Sequence, residues 1–115
     1  MTVSERTSGA VTILDIKDTL TFGEGADRLR DKVRSLLQQG QKSLLLNLAN
    51  LSYVDSAGLG ELVTAFTTVT RQGGVLKLVG VTKRLTDLLV ITKLITVFES
   101  FDSEAAAIAS FSSPR

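Results

Sequence analysis

The sequence predicts a small α/β domain built around a largely parallel sheet. Short β-rich or apolar runs alternate with amphipathic helical patterns, in the order β, β, α, β, α, β, α, β, α. Such alternation favours right-handed crossover connections and parallel strands. The most apolar run, residues 44–48, is typical of a central strand that helices cover on both faces. A length of 115 residues with no internal linker predicts a single domain over residues 1–115.

The first half of the chain contains two predicted strands and the first helix. Residues 1–9 are polar and could form an edge strand or a loose end. Residues 11–16 are β-rich and partly alternating, which predicts a strand that 19–22 would extend. After the break at Gly23-Glu24-Gly25, apolar residues recur at helical spacing from 26 to 39, which predicts an amphipathic helix.

The second half is predicted to add two further strands and three helices after the central strand. These are a helix at 56–72, a strand at 75–79, a helix capped by Thr82, a short strand at 95–98 and a final helix opened by Ser103 and Glu104. Ser and Thr favour helix N-caps because their hydroxyl accepts a bond from an unpaired N–H of the first turn. Residues 112–115 are predicted to be a second loose end.

Composition excludes several classes of site. The chain has no cysteine and no histidine, which removes disulfides, cysteine-rich zinc sites and any Ser-His-Asp triad. A formal net charge of +1 lacks the basic excess typical of nucleic-acid binders. No signal peptide is recognisable, and no apolar stretch approaches the ~20 residues that span a bilayer. We therefore expect a cytoplasmic protein that binds neither nucleic acid nor membrane and holds no metal.

The most informative stretch is Asp55-Ser56-Ala57-Gly58-Leu59-Gly60, at a predicted strand-to-helix junction. Asp55 and Ser56 are both favoured N-caps, so helix capping alone would account for them. Gly58 and Gly60 fall early in the helix, where glycine costs up to ~1 kcal/mol relative to alanine. Two such residues indicate either that another group approaches this backbone closely, or that its N–H groups must stay accessible for binding. A helix start of this kind can carry or bind a phosphate.

Other motifs for phosphate binding or nucleophilic catalysis do not fit. No Gly-Lys-Ser/Thr follows the glycines, as a P-loop would require. Gly23-Glu24-Gly25 lacks the third glycine of a dinucleotide fingerprint. Ser56 has Val54, not glycine, two residues before it, which excludes an esterase elbow. We therefore expect no catalytic residue, no enzymatic activity and no cofactor.

Residues 48–60 resemble the signature of STAS domains, the anti-sigma factor antagonists and their relatives. In that family an apolar strand leads through a short loop into Asp-Ser-x-Gly, which opens a helix. The order of strands and helices is similar over nearly the whole chain. The resemblance implies an α/β, STAS-like fold: a mixed sheet of about four to five strands, with about four helices packed mostly on one side.

The resemblance also implies a phosphorylation switch. The unphosphorylated form would bind an anti-sigma factor that is also a serine kinase, and so release the sigma factor. Phosphorylation at Ser56 would end the binding, with ATP entering only through the kinase and a phosphatase able to reverse the change. The protein would be a monomer or weak dimer. The implied partner-binding residues are Asp55, Ser56, Ala57, Gly58, Leu59, Gly60 and Glu24.

One position departs from the family pattern. Many members carry an acidic residue just before the first helix, where it flanks the serine. Phe22 stands there in this chain, and Glu24 follows two residues later as the candidate replacement. Two alternatives to the antagonist therefore stay open. One is a STAS scaffold or transporter-associated subunit of a larger complex, and the other is a small-ligand or nucleotide-binding module that uses the same helix start.

Overall fold

The computed structural model describes residues 1–112, which form one six-stranded mixed sheet and four helices. In chain order the elements are β1 Thr2–Ser8, β2 Val11–Leu20, α1 Glu24–Gln38, β3 Ser43–Asn47, β4 Leu51–Val54, α2 Ser56–Arg71, β5 Val75–Val79, α3 Lys83–Ile91, β6 Ser100–Phe101 and α4 Glu104–Ser110. The sheet order is β1-β2-β3-β5-β6, and β4 pairs with β2. Only the β1–β2 pairing is antiparallel among these strands, which confirms the mixed α/β fold.

The helices cover the two faces of the sheet unequally, as expected. Leu44 and Leu46 of β3 join the larger core cluster, to which α1, α2 and α3 contribute. Leu45, between them, points to the opposite face and joins a smaller cluster with Ala107 of α4. β3 is therefore buried on both faces, as its apolar run predicted.

Lys77 of β5 is 1% exposed and attaches the short helix α4 to the sheet. Its ammonium donates to Ser110 Oγ at 2.8 Å and lies 4.8 Å from the centre of the Phe111 ring. Glu99 lies 3.6 Å from the same ammonium. These contacts satisfy a charge that would otherwise be costly to bury.

β4 was not predicted, because the expectation for this segment was a loop. Its four residues pair with the end of β2, which runs on to Leu20. The register shifts between Asp18 and Thr19, and Asp18 has a φ of 72°, a left-handed conformation unusual for a non-glycine residue. This bulge turns the end of β2 from β3 toward β4. It thereby brings Leu20 to the start of α2.

The predicted strand at 95–98 is wrong. These residues form turns, and the last strand is Ser100–Phe101. Val97 and Phe98 pack on the core instead, with the Phe98 ring edge-on to Phe66 at a centroid distance of 5.5 Å, whereas Ile95 is exposed. The apolar character of this segment thus reflects packing of Val97 and Phe98 on the core, with no strand pairing at 95–98.

The N-terminal end differs from the predicted loose end. Thr2–Ser8 forms the edge strand β1, paired with β2 over seven residues, so the loose-end alternative is wrong there. Ser112 lies in a turn, and its amide donates to Ala109 O at 3.1 Å. The rest of the predicted C-terminal loose end, residues 113–115, lies outside the described residues. The predicted caps are confirmed, since Thr82 and Ser103 each accept a bond from the third residue after them.

Candidate functional site

The motif lies at the carboxyl end of β4, where α2 begins. Asp55 is the N-cap of α2 and Ser56 is its first helical residue. Since β2 and β4 are parallel, the loop that leaves β2 is at the same edge of the sheet. The motif and the β2–α1 loop, Thr21–Gly23, therefore meet.

Asp55 joins these two segments through both carboxylate oxygens. Oδ1 accepts a hydrogen bond from the Gly58 amide at 2.8 Å, and Oδ2 accepts one from the Phe22 amide at 3.0 Å. The Asp55 amide donates to Leu20 O at 3.3 Å. The Phe22 bond, followed by the Gly58 bond, lowers the pKa of Asp55 below its ordinary value of 3.8, because both stabilise the carboxylate. Asp55 is thus a helix cap and also a clamp on the preceding loop.

Ser56 is exposed and does not provide the cap. Capping alone could have explained both Asp55 and Ser56 from sequence, but the structure gives this role to Asp55. The Ser56 hydroxyl is therefore presented to solvent at the positive end of the α2 dipole, beside an ionised carboxylate. This geometry suits a side chain that another protein modifies.

The two glycines of the motif have different surroundings. Gly58 is buried, and a Cβ added there would overlap the carbonyl oxygen of Leu20. The close approach that the glycines indicated is thus made by the protein's own β2 strand. Gly60 is exposed, and a Cβ there would meet nothing within 4 Å. Of the two motif glycines, therefore, only Gly60 lies at the surface.

The other proposed contact residues divide in the same way. Leu59 is 6% exposed and belongs to the main core, whereas Ala57 is half-buried. Glu24 is exposed at the start of α1, and its carboxylate pairs with Arg28 one turn later at 2.8 Å. Within the motif, the residues that reach the surface are therefore Asp55, Ser56, Ala57 and Gly60, and Glu24 is exposed on the neighbouring helix α1.

Two exposed aromatic residues near the motif were not among the predicted site residues. Phe22 is 83% exposed and Tyr53 is 48% exposed. The sequence signal for Phe22 was its place just before the first helix, where an acid was expected. The exposure could not be predicted, because apolar residues at strand ends usually face the core.

The cleft next to the motif is small for a ligand site, whereas Glu24 also lines a shallow, open groove of about 750 Å³ along α1. The cleft that Phe22 and Glu24 line together measures about 180 Å³ and also includes Arg28. Pockets for small molecules are usually ~300–1,000 Å³. Within residues 1–112 no group of three acidic, cysteine or histidine side chains is placed to hold a metal ion.

No helix in the described part of the chain has both the length and the hydrophobicity to cross a bilayer. This finding covers the four helices α1 to α4.

Comparison with known proteins places the motif in a wider context. A family model described as STAS domain matches residues 2–107. The anti-sigma-B factor antagonist of Bacillus subtilis (strain 168) is 46% identical over 66 residues, which cover 57% of this chain. The match spans 60% of that relative's own length.

Solved structures share the fold. SpoIIAA, an anti-sigma factor antagonist and Bacillus cell fate determinant, was solved in an unphosphorylated and a phosphorylated form. They superpose with TM-scores of 0.74 and 0.75 at 17% and 16% identity, over 96% of this chain and 97% and 99% of theirs. A sulfate transporter family protein from Wolinella succinogenes has a TM-score of 0.77 and 26% identity, over 88% of this chain and 84% of its own.

Proposed function

The chain belongs to the STAS domain family, and we propose that within it the protein acts as an anti-sigma factor antagonist. Unphosphorylated, it binds an anti-sigma factor that is also a serine kinase, and so frees the sigma factor. Phosphorylation of Ser56 ends the binding. The observation that carries this proposal is that Ser56 is exposed and does not cap α2. Asp55 provides the N-cap, so the Ser56 hydroxyl has no capping role.

A phosphate on Ser56 would change the surface while leaving the fold intact. The modification adds ~−1.5 to −2 charges at pH 7. The start of a helix carries roughly +0.5 charge and unpaired N–H donors, which favour an anion there. Because Ser56 is exposed, the added group needs no space in the core. The new charge lies next to ionised Asp55. Together they repel an acidic partner surface, and contact with an apolar one becomes unfavourable because both charges would lose their hydration.

Two of the comparisons support this function. The curated relative that is named an anti-sigma-B factor antagonist shares 46% identity over 66 residues. A neighbour in fold, SpoIIAA, exists in a phosphorylated form. The first supports the antagonist role, and the second supports control of such a domain by phosphorylation.

The direct test uses the purified anti-sigma factors of the source organism that carry a serine kinase domain, assayed one by one with ATP. Mass spectrometry of the product should locate a single phosphate on Ser56, and Ser56→Ala should accept none. Ser56→Asp should lose binding to the kinase while its thermal midpoint stays within a few degrees of wild type. If no kinase of this set modifies Ser56, the proposed function is wrong.

A second candidate function is a subunit of a transporter or larger signalling complex. The 26% identity to a sulfate transporter family protein favours it. Size-exclusion chromatography of the native cell extract separates the two functions. Elution as a monomer or dimer supports the antagonist, whereas elution with a large assembly supports the subunit.

A further inference from the structure

Phe22 is an exposed aromatic residue in the loop that is hydrogen-bonded to Asp55, the residue before the proposed phosphorylation site. The residue is 83% exposed, although burying a phenylalanine side chain is favourable by ~1.5–3 kcal/mol. Single exposed apolar residues are common and need no explanation by themselves. What distinguishes Phe22 from other exposed apolar residues is its backbone contact with the motif. The Phe22 amide donates to Asp55 Oδ2 at 3.0 Å, and Asp55 directly precedes Ser56.

The loop holds Phe22 in a fixed position. On its N-terminal side, Thr21 O accepts a bond from the Ala26 amide at 3.1 Å. On its C-terminal side, Gly23 O accepts a bond from the Asp27 amide at 2.9 Å. Gly23 itself has a φ of 92°, which a side chain would strain. With its backbone fixed before binding, little ordering cost opposes burial of the ring in a complex.

We propose that Phe22 is the apolar anchor that sets partner specificity, entering an apolar pocket of the anti-sigma factor kinase that modifies Ser56. This inference rests on the proposed function. The occupant of this surface is that kinase, because the Phe22 amide is bonded to Asp55, the residue before Ser56, and both loops lie at the same edge of the sheet. A few buried aromatic anchors usually carry most of the affinity of an interface.

The anchor also explains how phosphorylation would abolish binding. Burial of the Phe22 ring requires that water leave the surrounding surface, including the neighbourhood of Asp55 and Ser56. A phosphate dianion on Ser56 holds its hydration strongly, and desolvating a charge without a partner is costly. Phe22 therefore contributes affinity only while Ser56 is unmodified.

Binding of Phe22 variants to the kinase that phosphorylates wild-type Ser56 tests this inference. Isothermal titration with ADP in place of ATP keeps Ser56 unmodified. Phe22→Ala should bind about 10- to 100-fold more weakly, and Phe22→Leu should recover most of the loss. Ile91→Ala is the matched control, since Ile91 is 77% exposed at the far end of α3. It should bind within about twofold of wild type, and all three variants should keep their thermal midpoints.

Three results would overturn the inference. Phe22→Ala could bind as tightly as wild type, Phe22→Leu could lose as much affinity as Phe22→Ala, or Ile91→Ala could show an equal loss. Any of these leaves the proposed function intact as long as the kinase modifies Ser56. If no kinase modifies Ser56 in wild type, the proposed function fails first and the role of Phe22 fails with it.

Discussion

Gly58 and Gly60 lie two positions apart in α2, yet their backbones have opposite environments. Gly58 packs against the carbonyl of Leu20, and Gly60 faces open space. The sequence predicted a functional reason for both glycines. The structure gives Gly58 a packing role and leaves only Gly60 on the surface that a partner can reach.

Alanine at these two positions should therefore have opposite effects on stability. Gly58→Ala forces its Cβ into the Leu20 carbonyl, so we expect the free energy of unfolding to fall by more than about 2 kcal/mol. Gly60→Ala meets no atom and removes a flexible residue from a helix, so it should gain up to about 1 kcal/mol. Urea denaturation of both variants measures the difference. Similar effects would show that β2 does not constrain α2 at Gly58.

Asp55 should make stability depend on pH at the acidic end. Hydrogen bonds from the Phe22 and Gly58 amides lower its pKa below 3.8, so the folded state binds this proton less readily than the unfolded state. The contribution of Asp55 is therefore complete above its unfolded pKa and is lost as the pH falls through the folded pKa.

The variant Asp55→Asn isolates this contribution. At neutral pH its thermal midpoint should lie below that of wild type. Asparagine has a single acceptor oxygen, so it can accept a bond from only one of the two N–H groups and places its own NH₂ donor against the other. The gap should close as the pH falls below about 4. Thermal melts across this range test the prediction, and a gap that is constant with pH would contradict it.

The C-terminal end of α3 contains a locally strained residue. Lys93 has a φ of 62°, and the Lys93 and Leu94 amides donate to Val90 O at 3.1 Å and Leu89 O at 2.8 Å. This pattern is a Schellman motif, in which glycine usually occupies the left-handed position. Because a lysine occupies this position, nothing in the sequence indicated the Schellman motif.

Replacing this lysine should stabilise the protein. Glycine adopts the left-handed conformation without the steric cost of a Cβ, so Lys93→Gly should raise the free energy of unfolding by about 0.5–1 kcal/mol. Lys17→Gly is the control, since exposed Lys17 lies within β2 and should lose stability. Chemical denaturation of both variants decides the prediction, which a loss of stability in Lys93→Gly would contradict.

Helices were easier to predict than strands in this chain. The apolar periodicity of 26–39 and the caps Thr82 and Ser103 are local signals, and they located α1, α3 and α4 within a few residues. β4 depends on its pairing with the end of β2 after the bulge at Asp18. That pairing joins residues more than thirty positions apart, so no local pattern could indicate it.

For the molecule as a whole, the family and the fold class followed from the sequence, but the geometry of the site did not. The order of elements and the motif at 55–60 were enough to predict a mixed α/β STAS domain. Which motif residues are buried and which are exposed was not predictable, because this depends on contacts between segments that are distant in the sequence. Leu20 buries Gly58, and Asp55 holds the Phe22 loop. These contacts concentrate the exposed site at Ser56 and its neighbours.

The central claim is that Ser56 controls binding through the surface of the domain and leaves its fold unchanged. The most direct measurement titrates unphosphorylated and enzymatically phosphorylated protein into the same anti-sigma factor kinase by calorimetry. We predict that the phosphorylated form binds at least about 100-fold more weakly, a change of ~2.7 kcal/mol, with a thermal midpoint close to that of the unmodified protein. Equal affinities of the two forms would contradict the claim, and so would a phosphorylated form that loses binding because it unfolds.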